Sequence, residues 1–490
     1  MKNIIIVGGG TSGWMTANIL AYSFKDMNIT LVESPEVPII GVGEGSTPAL
    51  RNFFDLLNIQ EDEWMPECNA TYKTGIRFNN WSTVKDYESY FHSFPSTIDQ
   101  HIQNNFFYNA QLRATGIDLP ANPSSFYLAA KISEQKKLPI ANENFPFEID
   151  YAYHFDAGLL GKYLKKIAMR NGVNYKVGHV KDTELSKDYD IKAVLLKDNQ
   201  EIAGDFFIDC SGFKGLLINK LPHIEFISYQ DELYNDSAVA ISTHLDSDAI
   251  GAQTEATALK YGWAWKIPLT NRNGNGYVYS SRYINKDQAE QELKEHLNVT
   301  SSEREVRHLS FKLGRKNKHW KNNCLAVGLS QGFIEPLEAT ALLLIQQTVG
   351  KFVDAYQQGG FTNKYQERFN HQINSDFDGI KDYIVLHYAL NSREDSEYWK
   401  SNSKNLRNIA PRLQKLLQGW KSGSDISQLA LKLGLQEYYP IPSWYAILAG
   451  HGYFPIKLKL PSDKHQVQGL DKSREFLRRS LLNYPKYLIK

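Results

Sequence analysis

Asn3-Ile4-Ile5-Ile6-Val7-Gly8-Gly9-Gly10-Thr11-Ser12-Gly13 runs from a β-branched stretch straight into a glycine-rich turn. Residues 3–7 read as a short buried strand. The turn spells G-x-G-x-x-G at Gly8, Gly10 and Gly13, and residues 14–20 then read as a helix. Gly8 permits a tight turn and Gly10 lets backbone approach a pyrophosphate. Gly13 lets the helix pack close to the strand with its positive end facing the phosphates. A glycine fingerprint alone is weak, so its surroundings decide. Residues 28–32 form the next strand candidate and end in Glu33, twenty residues past Gly13, where a ribose hydroxyl needs an acceptor. Strand, glycines, helix, strand and acid in that order outweigh a tight turn with an incidental surface Glu. On this unit alone NAD and FAD fit equally.

The 490 residues correspond to about three domain-sized units, and 42% hydrophobic content suffices for a large core. A net charge of +1 argues against general nucleic-acid affinity, which needs a basic surface. Cys68, Cys210 and Cys324 lie far apart and make neither a disulfide framework nor a zinc pattern; no metal spacing occurs among the His residues. The apolar run at the start is too short for a signal or membrane segment, so a cytoplasmic protein is expected.

No internal repeat interrupts the chain. Residues 34–38, with two prolines, read as a connection, and the glycine-rich residues 40–48 as a loop whose backbone approaches something closely. Residues 49–58 are amphipathic, with Leu50, Phe53, Phe54 and Leu57 at helical spacing. Residues 83–147, rich in aromatics, Asn and Pro, look like an irregular or helical insertion. A helix at 159–170 stops at Asn171-Gly172, and paired strands follow at 173–180, 191–197 and 201–208. Further strands are expected at 263–268 and 276–283, with Asn273-Gly274-Asn275-Gly276 as a hairpin turn between them. Residues 324–328 are the last convincing strand; from 341 onward the pattern is mostly helical. The basic segment 473–490 reads as a solvated helix face.

Gly328-Leu329-Ser330-Gln331-Gly332 imitates the nucleophile elbow of hydrolases. An elbow needs a helix running on from the Ser, and Gly332 and Pro336 would interrupt it. In Glu335-Pro336-Leu337-Glu338-Ala339-Thr340-Ala341, two acids flank a proline ahead of an apolar helix. Free N–H groups there could hold an anion, and Glu338 reads either as a desolvated acid/base or as a helix-capping acid. Lys73 shares a face with Gly75 and Arg77 if 69–78 is one strand; it is either a functional amine or an ordinary surface charge.

Taken together, several of these segments resemble the flavin-dependent tryptophan-halogenase family. They are Gly8–Trp14, residues 41–48, Tyr72-Lys73, Tyr151-Ala152-Tyr153-His154-Phe155-Asp156, Asp209-Cys210-Ser211-Gly212-Phe213, Trp263-Ala264-Trp265-Lys266-Ile267-Pro268 and Glu335-Pro336-Leu337-Glu338. They occur in order up to about residue 345, and Ser443-Trp444-Tyr445-Ala446 adds a match near the C-terminus. Trp-x-Trp-x-Ile-Pro is the specific signal, because other flavin monooxygenases with the same nucleotide loop lack it.

The resemblance implies that FAD, reduced by a separate flavin reductase, generates hypohalous acid from oxygen and halide. The acid then reaches a lysine beside an electron-rich aromatic substrate. Lys73 matches the catalytic lysine and Glu338 the catalytic glutamate. Gly8, Gly10, Thr11, Ser12, Gly13, Glu33, Gly41, Val42, Gly43, Glu44 and Gly328 become the expected cofactor contacts. Thr340 and Ala341 match the halide-holding turn, while His92, Phe94, Tyr439 and Trp444 match substrate walls. The absence of a second nucleotide loop agrees with reduction by another protein.

Two departures carry information. The family turn reads Glu-Ser-Thr-Gly where this chain has Glu338-Ala339-Thr340-Ala341, which points away from chloride to bromide or iodide. The stretch 429–442 lacks a convincing clamp for an amino-acid group, which points to an indole or another arene without that handle. The expected fold is α/β: an FAD-binding doubly wound core of the flavin monooxygenase type over residues 1–345, with 83–147 inserted. A mostly helical substrate region covers 346–490. The competing readings are an FAD-dependent aromatic monooxygenase and a flavin-binding protein without turnover. No membrane or nucleic-acid partner is expected, and a homo-oligomer is compatible with the sequence.

Overall fold

The strand Asn3–Val7 pairs in parallel on both edges, with Asn28–Glu33 on one side (Val7 opposite Val32) and Phe206–Asp209 on the other (Val7 opposite Asp209). These registers come from a computed structural model that describes residues 2–36, 43–299, 305–461 and 464–488. The chain folds into two compact units. The first comprises Met1–Ala70, Phe155–Asp231 and Phe311–Asp378; the second comprises Thr71–His154, Glu232–Ser310 and Gly379–Lys490. The expected boundary at 345 falls inside the helix Ala341–Gln358. Each unit is instead threaded from three separate stretches, which a cut by sequence position does not reveal.

In the first unit the six-stranded sheet runs Trp320–Lys321, Cys324–Ala326, Phe206–Asp209, Asn3–Val7, Asn28–Glu33, Asn174–Val177. All pairs are parallel except the first. The chain leaves Asn3–Val7 toward one side first and reaches the other side only at Phe206–Asp209. The carboxyl ends of these two strands therefore form a topological switch point, where an open α/β sheet binds its ligand. Ile5, Val7, Val32, Val194, Leu196, Phe207 and Ala326 fill one core cluster of this unit. The expected strands 173–180 and 201–208 each split. Asn174–Val177 and Phe206–Asp209 join the parallel sheet, while Val180–Leu185, Ile191–Leu196 and Glu201–Ala203 form a separate antiparallel one. The breaks fall at Gly178 and Gly204, positions whose Cβ would meet Leu196 and Ile5 at 2.6 Å.

The second unit is built on a seven-stranded sheet ordered Val306–Ser310, Ser237–Thr243, Asn273–Tyr279, Gly262–Pro268, Thr254–Leu259, Gly75–Asn79, Ser89–Ser93. Here the sequence reading needs three corrections. Residues 273–276 are strand rather than turn; the hairpin closes one step earlier, through Leu269 N–H to the Arg272 carbonyl at 2.8 Å. A Cβ on Gly276 would stand 2.1 Å from the Trp265 ring, so that glycine serves cross-strand packing. Residues 83–147 carry the strand Ser89–Ser93 as well as the helices Gln100–Ala114 and Leu128–Glu134. Lys73 and Arg77 do not share one strand. Thr71–Lys73 ends at Thr74, whose N–H and hydroxyl both bond to the Ala252 carbonyl, and Gly75–Asn79 then enters the large sheet.

Beyond residue 378 the second unit is helical as expected, including Ile441–Gly450 and Lys464–Leu481. Arg478 and Arg479 both pair with Glu475 on an exposed face, as a solvated charge run requires. No helix among the described residues is long and apolar enough to cross a membrane.

Candidate active site

The glycine turn in the first unit is shaped by what its missing side chains would strike. Gly8 has φ +120°, and a Cβ there would lie 2.1 Å from the Cys210 carbonyl oxygen. A Cβ on Gly13 would lie 1.9 Å from the Gly8 carbonyl oxygen, which is the close helix-to-strand packing the motif demands. A Cβ on Gly10 would meet nothing within 4 Å, so the backbone there stands open to an approaching group. The helix Thr11–Ser23 begins three residues earlier than its apolar pattern suggests, taking in Thr11 and Ser12. It has no side-chain cap and no acid in its first turn, as an anion-receiving helix start should. Gly328 (φ +72°) folds a short turn against this start; its Cβ would lie 2.8 Å from that of Ser12.

Glu33 ends the second strand, and a Cβ on Gly9 would collide with its carboxyl group. Lys165 donates to Glu33 Oε2 at 3.0 Å while sitting 3.5 Å over the Tyr175 ring. The sequence reading misses this lysine, because a helix-face cation 132 residues away carries no motif. Gly43 adopts φ +140°. Glu44 has its pKa raised to about 7, first by burial and then by the charge of Asp156. Gly41 and Val42 lie outside the described residues. An adenine dinucleotide fits this cradle: an open backbone at Gly10, uncapped N–H groups behind it, and a carboxylate at the strand end. Ser330 is excluded as a nucleophile. It is buried in the turn Gly328–Ser330, its hydroxyl bonds to the carbonyls of Asp209 and Val327, and no helix runs on from it.

Glu338 lies in the turn Pro336–Glu338, 4% exposed. Ala339 follows in the left-handed region (φ +56°), then Thr340, then the helix Ala341–Gln358 with Ala341 exposed at its start. That helix has no side-chain cap from Thr340 and no acid in its first turn.

The second unit holds the remaining candidates. Lys73 is 0% exposed, which overturns the surface-charge reading. Its ammonium stands 5.5 Å from the Phe94 ring centroid, within cation–π reach. His92 is buried opposite Ile76 and hydrogen-bonds Ser443 Oγ through Nε2 at 2.8 Å. Tyr383 stacks on Tyr439 at 3.7 Å, lies 5.9 Å from His92 and donates to the Ser443 carbonyl. Trp444 is fully buried, and its indole N–H donates to the Tyr439 and Leu435 carbonyls. It thereby fixes the Tyr439 backbone from beneath, while its ring meets Tyr383 edge-on. Tyr383 escapes the sequence reading, sitting unmarked in a long helix. The structure thus gathers Lys73, His92, Phe94, Tyr439 and Trp444 in one unit, and the cofactor residues with Glu338, Thr340 and Ala341 in the other.

A doubly wound sheet with a glycine cradle at its switch point is the site of a dinucleotide-binding protein, and the turn at Ser330 excludes the hydrolase. The tryptophan halogenase family model matches residues 3–465. The chain belongs to that family and is a flavin-dependent halogenase. Tryptophan 6-halogenase of Streptomyces toxytricini is 36% identical over 482 residues, covering 93% of this chain and 90% of that one. Tryptophan 7-halogenase of Lentzea aerocolonigenes is 34% identical, with 93% and 90% covered. A flavin-dependent halogenase from Brevundimonas sp. BAL3 superimposes with a TM-score of 0.84 at 30% identity, covering 99% of this chain and 98% of that one.

Proposed function

We propose that this enzyme halogenates an electron-rich, indole-like arene lacking an amino-acid handle, with Lys73 and Glu338 as its catalytic residues and bromide or iodide preferred to chloride. The observation that carries the reading is the complete burial of Lys73 beside Phe94. A lysine is almost never fully buried unless it is paired, and this one is held inside the second unit against an aromatic ring. Reduced FAD, supplied by a separate reductase, would furnish hypohalous acid from oxygen and halide. Lys73 then presents the electrophilic halogen to the ring, as an ammonium that hydrogen-bonds the acid or as the amine that carries the halogen. The ring C–H gives way to a C–halogen bond, the oxygen leaves as water, and Glu338 takes the ring proton. Thr340 and Ala341 hold the halide at the uncapped helix start. His92, Phe94 and Tyr439 supply walls for the ring, with Trp444 supporting Tyr439.

The handle-free substrate is supported by the wall itself. His92 Nε2 bonds Ser443 Oγ, Tyr383 donates to the Ser443 carbonyl and Trp444 to the Tyr439 carbonyl, so these polar groups are turned to one another and to backbone. The test is turnover with reduced FAD, oxygen and mixed halides against an arene panel, read by mass spectrometry with a hypohalous-acid scavenger as control. Lys73→Ala and Glu338→Gln should each lose at least about 100-fold in ring halogenation. Simple indoles should outpace free tryptophan, and bromide should outcompete chloride. Wild-type halogenation by both variants would remove the site assignment. Faster tryptophan turnover or equal chlorination would remove the substrate or halide reading separately.

A further inference from the structure

His154 is 0% exposed, and both of its ring nitrogens are hydrogen-bonded. Nδ1 lies 3.2 Å from Thr71 Oγ1, and Nε2 lies 2.9 Å from Thr254 Oγ1. The Thr71 hydroxyl in turn donates to the Pro268 carbonyl at 2.6 Å. The polarity of this chain follows from counting protons. Thr71 has one hydroxyl hydrogen, and it goes to Pro268, so toward His154 the oxygen accepts only. Nδ1 therefore carries the proton. Burial, followed by the charge of Lys73, drives the His154 pKa far down, so the ring is neutral and Nε2 is bare. Thr254 O–H must then donate to Nε2. All three bonds point the same way, from Thr254 through His154 and Thr71 to Pro268, an arrangement in which each bond polarises the next.

The chain of bonds joins four separate segments of the second unit. Thr254 opens one strand, Pro268 ends the strand that carries Trp263 and Trp265, and His154 sits directly opposite Thr71 in the ladder. Thr71 is two residues before Lys73 on the same strand, so both side chains leave from the same face. Lys73 itself pairs with Ala152, the smallest chiral side chain. Immediately after Lys73 the strand ends; of its three residues Tyr72 packs on Tyr151, Tyr153 and Tyr487, and Thr71 is the side chain that bonds His154 on the face Lys73 shares. We propose that His154, acting through Thr71, is the positioning residue that sets where the Lys73 ammonium stands. The proposal rests on the assignment of Lys73 as the reacting amine. It adds that a tautomer-specific bond chain, not aromatic packing alone, fixes the amine. Misplacing such a group by about 1 Å costs about 100-fold in rate.

The experiment compares Thr71→Val, Thr71→Ser, Thr254→Val and Lys73→Ala in the full-length enzyme supplied with reduced FAD, oxygen, bromide and indole. Each variant is first checked for flavin binding and thermal midpoint. Two products are then counted per reduced flavin: bromoindole, and hypobromous acid captured by a soluble β-diketone. Thr71→Val, isosteric but without the hydroxyl, should lower kcat at least about tenfold with KM for indole within about twofold, and divert oxidant from indole to the scavenger. Thr71→Ser should restore the wild-type partition. Thr254→Val cuts the chain at its other end and should shift the partition the same way; if one Val variant fails to fold, the other decides. A lowered thermal midpoint with unchanged partition in the Val variants would make the chain structural only and overturn the inference. If Lys73→Ala brominates like wild type, the Lys73 reading itself falls. If Lys73→Ala is inactive while Thr71→Val partitions normally, only the positioning role of His154 falls.

Discussion

The two units build their halves of the chemistry in opposite ways. In the first, the cofactor cradle is nearly contiguous: Gly8, Gly10 and Gly13 lie within one turn, and backbone conformation does most of the selecting. In the second, the strand that carries Lys73 is tied by the side chains of Thr71, His154 and Thr254 to the Pro268 carbonyl, with Phe94 beside the ammonium, and packing does the selecting. A contiguous backbone device advertises itself as a motif. A dispersed side-chain device does not, and can drift in substrate preference while the cradle stays legible.

The contrast breaks most easily at the cradle. Gly13→Val places atoms 1.9 Å from the Gly8 carbonyl oxygen, and Gly10→Val places them where nothing stands within 4 Å. The first should destabilise the flavin-free protein by about 3 kcal/mol. The second should leave flavin-free stability within about 0.5 kcal/mol of wild type, yet weaken FAD binding at least about tenfold. Thermal midpoints of the flavin-free proteins and a flavin titration separate the two. If Gly10→Val loses stability as Gly13→Val does, the open face at Gly10 is not a ligand face.

That difference also explains what can be read from the chain in advance. Asn3–Val7, Asn28–Glu33, Gly262–Pro268 and the stop at Asn171 follow from local pattern, and the structure has them where the pattern puts them. The turn expected at 273–276 is misplaced because glycines required by the Trp265 ring look the same as glycines required by a turn. Lys73 looks like a surface charge on its own, since burial is a property of residues far away in sequence. Lys165, His154 and Tyr383 are invisible as partners for the same reason. Each acquires its role only from a neighbour more than 50 residues distant.

A pH-dependent effect sharpens the comparison in the second unit. Asp99 is buried with its Oδ1 accepting from Leu128 N–H at 2.9 Å, while Oδ2 has no hydrogen-bond partner among the described residues. Burial raises its pKa to about 7. A carboxyl with a raised folded pKa binds its proton more tightly folded than unfolded. Its contribution is present below the unfolded value and is lost as pH climbs from about 4 to about 7. Asp99→Asn should therefore match wild type near pH 4 and exceed it by about 4 kcal/mol at pH 8. Chemical denaturation across that range measures it, and a constant difference at all pH values would mean packing, not charge, is the cause.

The smallest effect belongs to the turn that replaces Glu-Ser-Thr-Gly in the first unit. Ala339 holds φ +56°, a region that costs a residue with a Cβ about 1–2 kcal/mol. Ala339→Gly relieves that strain but gives the unfolded chain more freedom, worth about 0.4–1 kcal/mol in the other direction. The net expectation is a stabilisation of about 0.5 kcal/mol, visible as a slightly higher denaturation midpoint with unchanged slope. Since this turn connects Glu338 to Thr340, its energetics are backbone energetics, like those of the Gly8 loop. A marked loss of stability in Ala339→Gly would mean that the Ala339 methyl is packed rather than merely tolerated. The turn at residues 338–341 would then belong with the elements that side-chain packing builds.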